Sequence, residues 1–313
     1  MGNGKWKMEN GKCPASENGK WEMGNGKCPA STTTGLTSNS GGEDGGIFHF
    51  PFSIIHSIRF PFFNILRKEL LISFVTPFAY VVIAGMMVLS GFFFFSLLRN
   101  FNIVSARAVQ VMSTMPNLND WVVVPFYQTL EIILIFLVPL LTMKAYAEEK
   151  RSGTFEMLIT SPVSVLSLVW GKFLALAIIG TTALLSSFSF CLILIASTDV
   201  EAAPVLVGFL GIILTLLGFI AISLAVASFV HNQAASGVVS LVILLMLYAA
   251  DVAAQQSGNA FSVFVTYLTP STHTMNMFRG VLQSEDVIYF VSMIAAGMFA
   301  SVRAIENWRS PSA

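Results

Sequence analysis

The residues best suited to bind another protein lie in one short charged segment, Lys144–Ser164, between two long apolar runs. Phe155 and Leu158 could fill a hydrophobic groove on a partner, because buried apolar anchors supply most of the binding energy at interfaces. The charged and turn-forming residues around these anchors are Glu148, Glu149, Lys150, Arg151, Gly153, Thr154 and Glu156. We call this segment the cassette, and one interpretation of it is that it docks on a partner. The alternative is an ordinary loop that is polar only because it lies outside a membrane.

No set of nucleophiles, acids or metal ligands in the sequence points to catalysis. The phosphate-binding pattern GxxxxGK[ST] and the zinc-protease pattern HExxH are both absent. The three cysteines form no CxxC pair and the four histidines are scattered, so no metal site is predicted. We therefore assign no catalytic residue, metal or cofactor to this chain and do not expect an enzyme. The formal net charge of zero also argues against nucleic acid as a partner.

Glu131 is a carboxylate well inside an apolar run. Burying it costs about 3 kcal/mol on insertion scales unless it is paired or neutralised. One hypothesis makes it a substrate or proton contact in a central pathway. The other makes it a packing residue that accepts hydrogen bonds from Ser, Thr or Tyr of a neighbouring helix.

The composition places these residues in a membrane protein. Of the 313 residues, 55% are hydrophobic, only 11% are charged, and 27 are Phe. Several apolar runs are long enough to cross about 30 Å of hydrocarbon as helices, and period-two alternation is absent. We predict an all-α polytopic membrane protein with six spans. They are Leu71–Leu98, Trp121–Met143, Phe173–Thr198, Ala202–Val230, Asn232–Ala250 and Val287–Val302.

The distribution of Lys and Arg predicts the orientation of these spans. An even number of spans puts both termini on one side. If that side is the cytoplasm, nine basic residues of the loops and flanks lie inside and three outside, as the positive-inside rule requires. The inner set is Arg59, Arg67, Lys68, Lys144, Lys150, Arg151, Lys172, Arg303 and Arg309, and the outer set is Arg99, Arg107 and Arg279. We therefore expect both termini and the cassette to be cytoplasmic.

Two segments precede the first span. Residues 1–46 are rich in Gly, Asn, Lys, Ser and Thr and are predicted to be a disordered tail. Within the tail, Gly2–Ser16 returns as Glu17–Ser31 with twelve of fifteen positions identical. The repeated Cys and Trp could form a docking motif, but a tail without chemistry is the simpler interpretation. Residues 47–70 are predicted to be an interfacial segment, and the predicted six-span region covers 71–309.

We expect the segment before the first span to contain an amphipathic helix from about Pro61. Such a helix would hold Phe62, Ile65 and Leu70 against lipid and leave Arg67 and Lys68 to meet anionic headgroups. Within the same segment, Glu69 lies next to these two basic residues.

Local signals around the cassette predict a helix, a break, a short helix and a restart. Pro139 should kink the second span, and Ala145–Arg151 should continue that helix past the headgroups. Gly153 should break it. Ser161 and Pro162 then have the residue types of a helix start leading into the third span.

Three stretches resemble the type-two ABC exporter permeases, especially their gliding-motility-associated subgroup. PLLTMKAYAEEKRSGTFEMLITSPVSVLSLVWGKFLA, from Pro139 to Ala175, is similar to their cytoplasmic coupling region. RKELLISFVTPFAYVVIAGMMVLSGFFF, from Arg67 to Phe94, resembles their connector helix and first span. YLTPSTHTMNMFRGVLQSEDVIYF, from Tyr267 to Phe290, resembles the outer loop before their last span. The tail repeat is not part of the pattern.

The resemblance implies a six-span permease subunit in a bacterial cytoplasmic (inner) membrane, with a cytoplasmic coupling helix in the cassette. Two such subunits would pair and sit on two ATP-binding subunits, which would hold the ATP and Mg. The residues that the resemblance places against the ATPase are Glu148, Glu149, Arg151, Gly153, Thr154 and Glu156, while Arg67, Lys68 and Glu69 fall on the connector helix. Transport would be outward. A secondary transporter or channel that uses Glu131, and a non-transporting membrane scaffold, remain the alternatives.

Overall fold

The computed structural model describes residues 61–110, 117–147, 164–198, 201–257 and 266–309. These residues form eight α-helices, and the third is preceded by a π-helical turn, Asn119–Val123. The helices are α1 Pro61–Val75, α2 Phe78–Gln110, α3 Val124–Thr142, α4 Val165–Ser197, α5 Ala202–Phe229, α6 Gln233–Ser257, α7 Pro270–Phe278 and α8 Ser284–Arg309. No strand occurs in this part of the chain. The tail with its repeat lies outside the described residues.

Six of the helices are long and apolar enough to cross a membrane: α2, α3 with its π-helical turn, α4, α5, α6 and α8. This confirms the prediction of an all-α polytopic protein with six spans. The last span, predicted as Val287–Val302, is part of a helix that runs from Ser284 to Arg309. The ends of this helix carry charged residues, and hydropathy alone therefore excludes them from the predicted span.

The predicted first span began too early. A break at Thr76 and Pro77 separates α1 from α2, so the spanning helix begins at Phe78 and not at Leu71. Pro77 has no N–H to donate, and the Thr76 hydroxyl donates to the Ile72 carbonyl at 2.7 Å, which satisfies the end of α1. Hydropathy does not indicate this break, because the sequence is apolar on both sides and α1 is itself rich in Leu and Ile.

The same span also ends later than predicted. Helix α2 continues past Leu98 to Gln110. The exposed Arg99 does not end it, because residues 99–110 contain neither Gly nor Pro. A charged residue marks where a helix leaves the hydrocarbon core of the membrane, but it does not by itself end the helix.

The segment after the second span also differs from the prediction. Helix α3 ends at Thr142, and residues 143–146 form a turn in which the Ala145 N–H donates to the Thr142 carbonyl at 2.9 Å. Ala145 therefore does not continue the helix, and the prediction of a straight extension toward Arg151 is wrong at its start. Pro139 lies inside α3, where its ring removes one helical hydrogen bond.

The third span begins at a different serine from the one predicted. Ser161 and Pro162 lie outside the described residues. The N-cap of α4 is Ser164, whose Oγ accepts a hydrogen bond from the Ser167 N–H at 3.3 Å. The helix that forms the third span thus starts at Val165.

Helix α5 lies at the centre of the bundle and packs against α3, α4, α6, α7 and α8. Its glycines allow close approach: a Cβ at Gly208 would lie 2.5 Å from a Tyr127 ring carbon, and one at Gly211 would lie 2.8 Å from the Met277 Cβ. The contact between α5 and α8 depends on Gly297, where a Cβ would lie 2.7 Å from the Ala221 backbone carbon. These glycines therefore permit the close packing of α5 against its neighbours.

Candidate functional site

The cassette residues predicted to dock on a partner are not among those that the structure describes. They are Glu148, Glu149, Arg151, Gly153, Thr154, Phe155, Glu156 and Leu158. Their role stays a prediction. The structure does describe both flanks of the cassette, the turn at 143–147 and the start of α4 at Ser164. We call the end of the bundle that holds these flanks the connector end.

At the connector end, one buried ammonium group joins three parts of the chain. The Nζ of Lys172 lies 2.9 Å from Oε1 of Glu69 on α1 and donates to the Ala145 carbonyl at 2.6 Å. The same Nζ lies 5.2 Å from the centre of the Tyr146 ring. The Lys172 side chain is 2% exposed and that of Glu69 is 20% exposed. We call Glu69, Ala145, Tyr146 and Lys172 the Lys172 cluster.

The end of α3 creates the acceptor in this cluster. The carbonyls in the last turn of a helix have no intrahelical donor, and the turn after Thr142 presents the Ala145 carbonyl in the same way. A lysine in an apolar helix must find such acceptors, because an unpaired buried charge is costly. Lys172 therefore binds to the turn at the start of the cassette from the helix that follows the cassette.

Packing around Lys172 holds α1 close to α4. A Cβ at Gly171 would lie 2.7 Å from Cγ2 of Ile65, so only glycine permits this approach. Ile65 thus packs against the protein core, and the prediction that it faces lipid is wrong. The expected amphipathic pattern omitted α4 as a partner. The exposed face of α1 carries Phe63 and Val75, while Arg67 and Lys68 are also exposed, as predicted for headgroup contacts.

At the opposite end of the bundle, the short helix α7 packs against α5 and contacts α3, α6 and α8. It begins with Pro270 in its first turn, where the missing N–H costs nothing. It ends in a Schellman motif: the Gly280 N–H donates to the Met277 carbonyl and the Val281 N–H to the Asn276 carbonyl, both at 2.9 Å. Gly280 has φ 85°, which requires glycine or a strained residue. The sequence of this stretch resembles an outer loop, although Thr269-Pro270 and Gly280 are helix start and stop signals.

Glu131 faces α7 from the middle of α3 and is 3% exposed. Its Oε1 accepts from the Ser271 hydroxyl and its Oε2 from the Thr274 hydroxyl, both at 3.4 Å. Two hydroxyls on one helix thus converge on one carboxylate of another. This arrangement serves helix packing, and it would serve a pathway contact as well if α7 moved, so both predicted roles stay open.

A second buried polar contact fixes α7 to α8. Nδ1 of His273 lies 2.7 Å from Oδ1 of Asp286 in the first turn of α8, and its Nε2 lies 3.3 Å from the Tyr267 carbonyl. The Tyr289 ring stacks on the imidazole with centres 4.2 Å apart. Sequence analysis missed this pair, because the histidine and the acid are separated by a turn whose geometry was not predicted.

Between the π-helical turn, α3 and α7 lies an open cleft of about 460 Å³. Its lining is Asp120, Val124, Pro125, Gln128, Met275 and Arg279. Gln128 lies one helical turn before Glu131, and its Nε2 donates to the Met275 sulfur at 3.5 Å. The cleft is therefore separated from the buried carboxylate by the contact between α3 and α7. Among the described residues, no three His, Cys, Asp or Glu side chains are grouped to hold a metal ion.

The sequence of the chain matches a known protein family. The family described as "ABC-2 family transporter protein" matches residues 122–303, which is more than half of the chain. The matched region runs from the π-helical turn through α3, α4, α5, α6 and α7 into α8, and it includes the cassette. No curated protein matches the chain.

Proposed function

The chain belongs to the ABC-2 family of transporter proteins and is a membrane-spanning permease subunit, and we propose that it couples ATP hydrolysis on a partner to outward transport. Membership of this family implies an ABC ATP-binding subunit as the partner. The family match is the observation that carries the proposal. It weighs against a secondary transporter or channel and against a non-transporting scaffold, since neither needs an ATPase.

The proposed place of coupling is the cassette. Both of its described flanks are anchored in the membrane part of the chain: Tyr146 is fully buried at the end of the second span, and Ser164 caps the third. A movement of a segment held in this way is transmitted to the second and third spans together. We propose that Phe155 and Leu158 enter a groove of the ATPase and that Glu148, Glu149, Arg151 and Glu156 set the register.

The orientation and assembly are part of the same proposal. The cassette and both termini lie in the cytoplasm, two permease copies or homologues pair, and the complex resides in a bacterial inner membrane. ATP and Mg are held by the partner subunit. The likeness to the gliding-motility-associated subgroup supports export as the direction, and the apolar spans would permit lipidic or hydrophobic cargo.

Copurification tests this function. We expect an ABC ATPase to purify with the tagged full-length chain from its native membrane. A chain with Glu149→Arg and Phe155→Asp should lose the ATPase while keeping its membrane insertion and its unfolding temperature. Arg303→Glu at the exposed end of α8 is the matched charge-reversal control and should keep the ATPase. Wild-type protein that purifies with no ATPase would refute the proposal.

A further inference from the structure

We propose that Lys172 is the positioning residue through which movement of the cassette reaches the connector helix α1. The inference rests on the proposed coupling to an ATPase and adds a route for the movement. The Lys172 cluster is the observation that carries it.

The cluster lies where a movement of the cassette must pass. The cassette starts at Lys144, in the turn that holds Ala145 and Tyr146, and ends at Ser164, two helical turns before Lys172. The Lys172 ammonium binds the entry side through the Ala145 carbonyl at 2.6 Å and belongs covalently to the exit side through α4. One charged group therefore joins both flanks of the cassette.

The same ammonium also binds α1. Its contact with the Glu69 carboxylate, at 2.9 Å, is an ion pair that is largely shielded from water. A shielded charge pair with hydrogen-bond geometry is stronger and more directional than an exposed one. The packing of Ile65 on Gly171 also joins α1 to α4 here, but it is apolar and fixes no direction along the helix. The ion pair adds a directional contact that resists sliding of α1 against α4.

This arrangement predicts a shared response. When the ATPase subunits close on the cassette, the turn at 143–146, the start of α4 and α1 should move as one body. Loss of both charges at residues 69 and 172 should leave the helices packed but free to slide. Coupling would then be lost while the fold and the ATPase contact remain.

Hydrogen exchange on the intact complex tests the proposal. The permease with its ATPase, in lipid nanodiscs, is compared without nucleotide and after trapping with ATP and vanadate, following peptides from residues 61–75 and 143–164. In the wild type we expect trapping to change the exchange rates of both peptides. In Glu69→Gln plus Lys172→Met, the change in 143–164 should persist and the change in 61–75 should be lost.

Two controls keep the result interpretable. Arg303→Met plus Glu306→Gln removes an exposed ion pair of α8 by the same substitutions and should leave both changes intact. Glu69→Asp keeps both charges but lengthens their separation, and it should weaken the change in 61–75 if the neutral double variant does not fold. Retention of the wild-type change in 61–75 in the variants of residues 69 and 172 would overturn the inference. Wild-type complex in which only the 143–164 peptide responds would overturn it too, whereas absence of any ATPase would instead refute the proposed function.

Discussion

His273 and Asp286 form a buried contact, with Nδ1 and Oδ1 2.7 Å apart, that fastens the short helix α7 to the first turn of the last span. Since Asp286 is 1% exposed and His273 6%, the contact is shielded from water. The other ring nitrogen of His273, Nε2, lies 3.3 Å from the Tyr267 carbonyl. The pair thus fixes both the position of α7 and the chain that leads into it.

Removing this contact should destabilise the protein without unfolding it. Hydrogen bonds to charged groups contribute about 2 kcal/mol, so His273→Gln and Asp286→Asn should each lower the thermal unfolding midpoint in nanodiscs. The double variant should cost less than the sum, because both substitutions remove one shared contact. His231→Gln, at the connector end against the Trp308 ring, is the histidine control. Strictly additive losses would show that the two residues do not interact.

Glu131 gives a variant that separates its two hypothetical roles. Glu131→Gln keeps an oxygen acceptor for the hydroxyls of Ser271 and Thr274 but removes the charge. If the carboxylate only packs helices, the unfolding midpoint and the ATPase activity of the complex should both stay near wild type. If it serves a pathway, stability should be kept while turnover falls. Glu201→Gln, at the exposed N-cap of α5, is the matched control.

The close packing of α5 on α8 predicts a sharp difference between two glycines. Gly297→Ala would place a Cβ 2.7 Å from the Ala221 backbone carbon, and backbone cannot move aside as a side chain does. Overpacking of this kind costs about 1–3 kcal/mol, so the variant should unfold at a lower temperature. Gly85→Ala in α2 meets nothing within 4 Å and should be neutral or slightly stabilising. Equal midpoints for the two variants would contradict the observed helix contact.

The Lys172 cluster predicts that substitutions of Glu69 and Lys172 have strongly non-additive effects on stability. Lys172→Met alone leaves the Glu69 carboxylate without its ammonium partner in a shielded site, at a cost of about 3 kcal/mol. Adding Glu69→Gln removes the stranded charge, so the double variant should recover most of the lost stability. Thermal unfolding of the wild type, both single variants and the double variant measures this directly. A double variant less stable than Lys172→Met would count against the ion pair.

Hydropathy and charge counts predicted the six spans and the helical class, because the cost of burying charge and backbone in hydrocarbon acts on each segment by itself. They did not predict the break at Pro77 or the helix α7. The break depends on a proline inside apolar sequence, whereas α7 is a short and largely polar helix that a search for apolar runs does not detect.

The polar contacts that position α1 and α7 were beyond prediction from sequence for a different reason. Glu69 and Lys172 are far apart in the chain, as are Glu131 and Ser271, so their pairing is decided by how helices pack. The useful signal was the presence of Glu131 inside an apolar run, since a carboxylate there requires a partner; Lys172 was counted only as a basic residue flanking the third span. The identity of that partner came only with the fold.

The central claim, that the cassette docks on an ABC ATPase, is tested most directly by site-specific photo-crosslinking in the native membrane. A photoreactive phenylalanine analogue replaces Phe155 or Leu158 in the cassette, and, as a control, Val281 after α7 at the opposite end of the bundle. We expect a crosslinked product with an ABC ATP-binding subunit from positions 155 and 158 and none from position 281. A full-length, membrane-inserted chain that yields no ATPase product from either cassette position, or yields it from position 281 instead, would contradict the account.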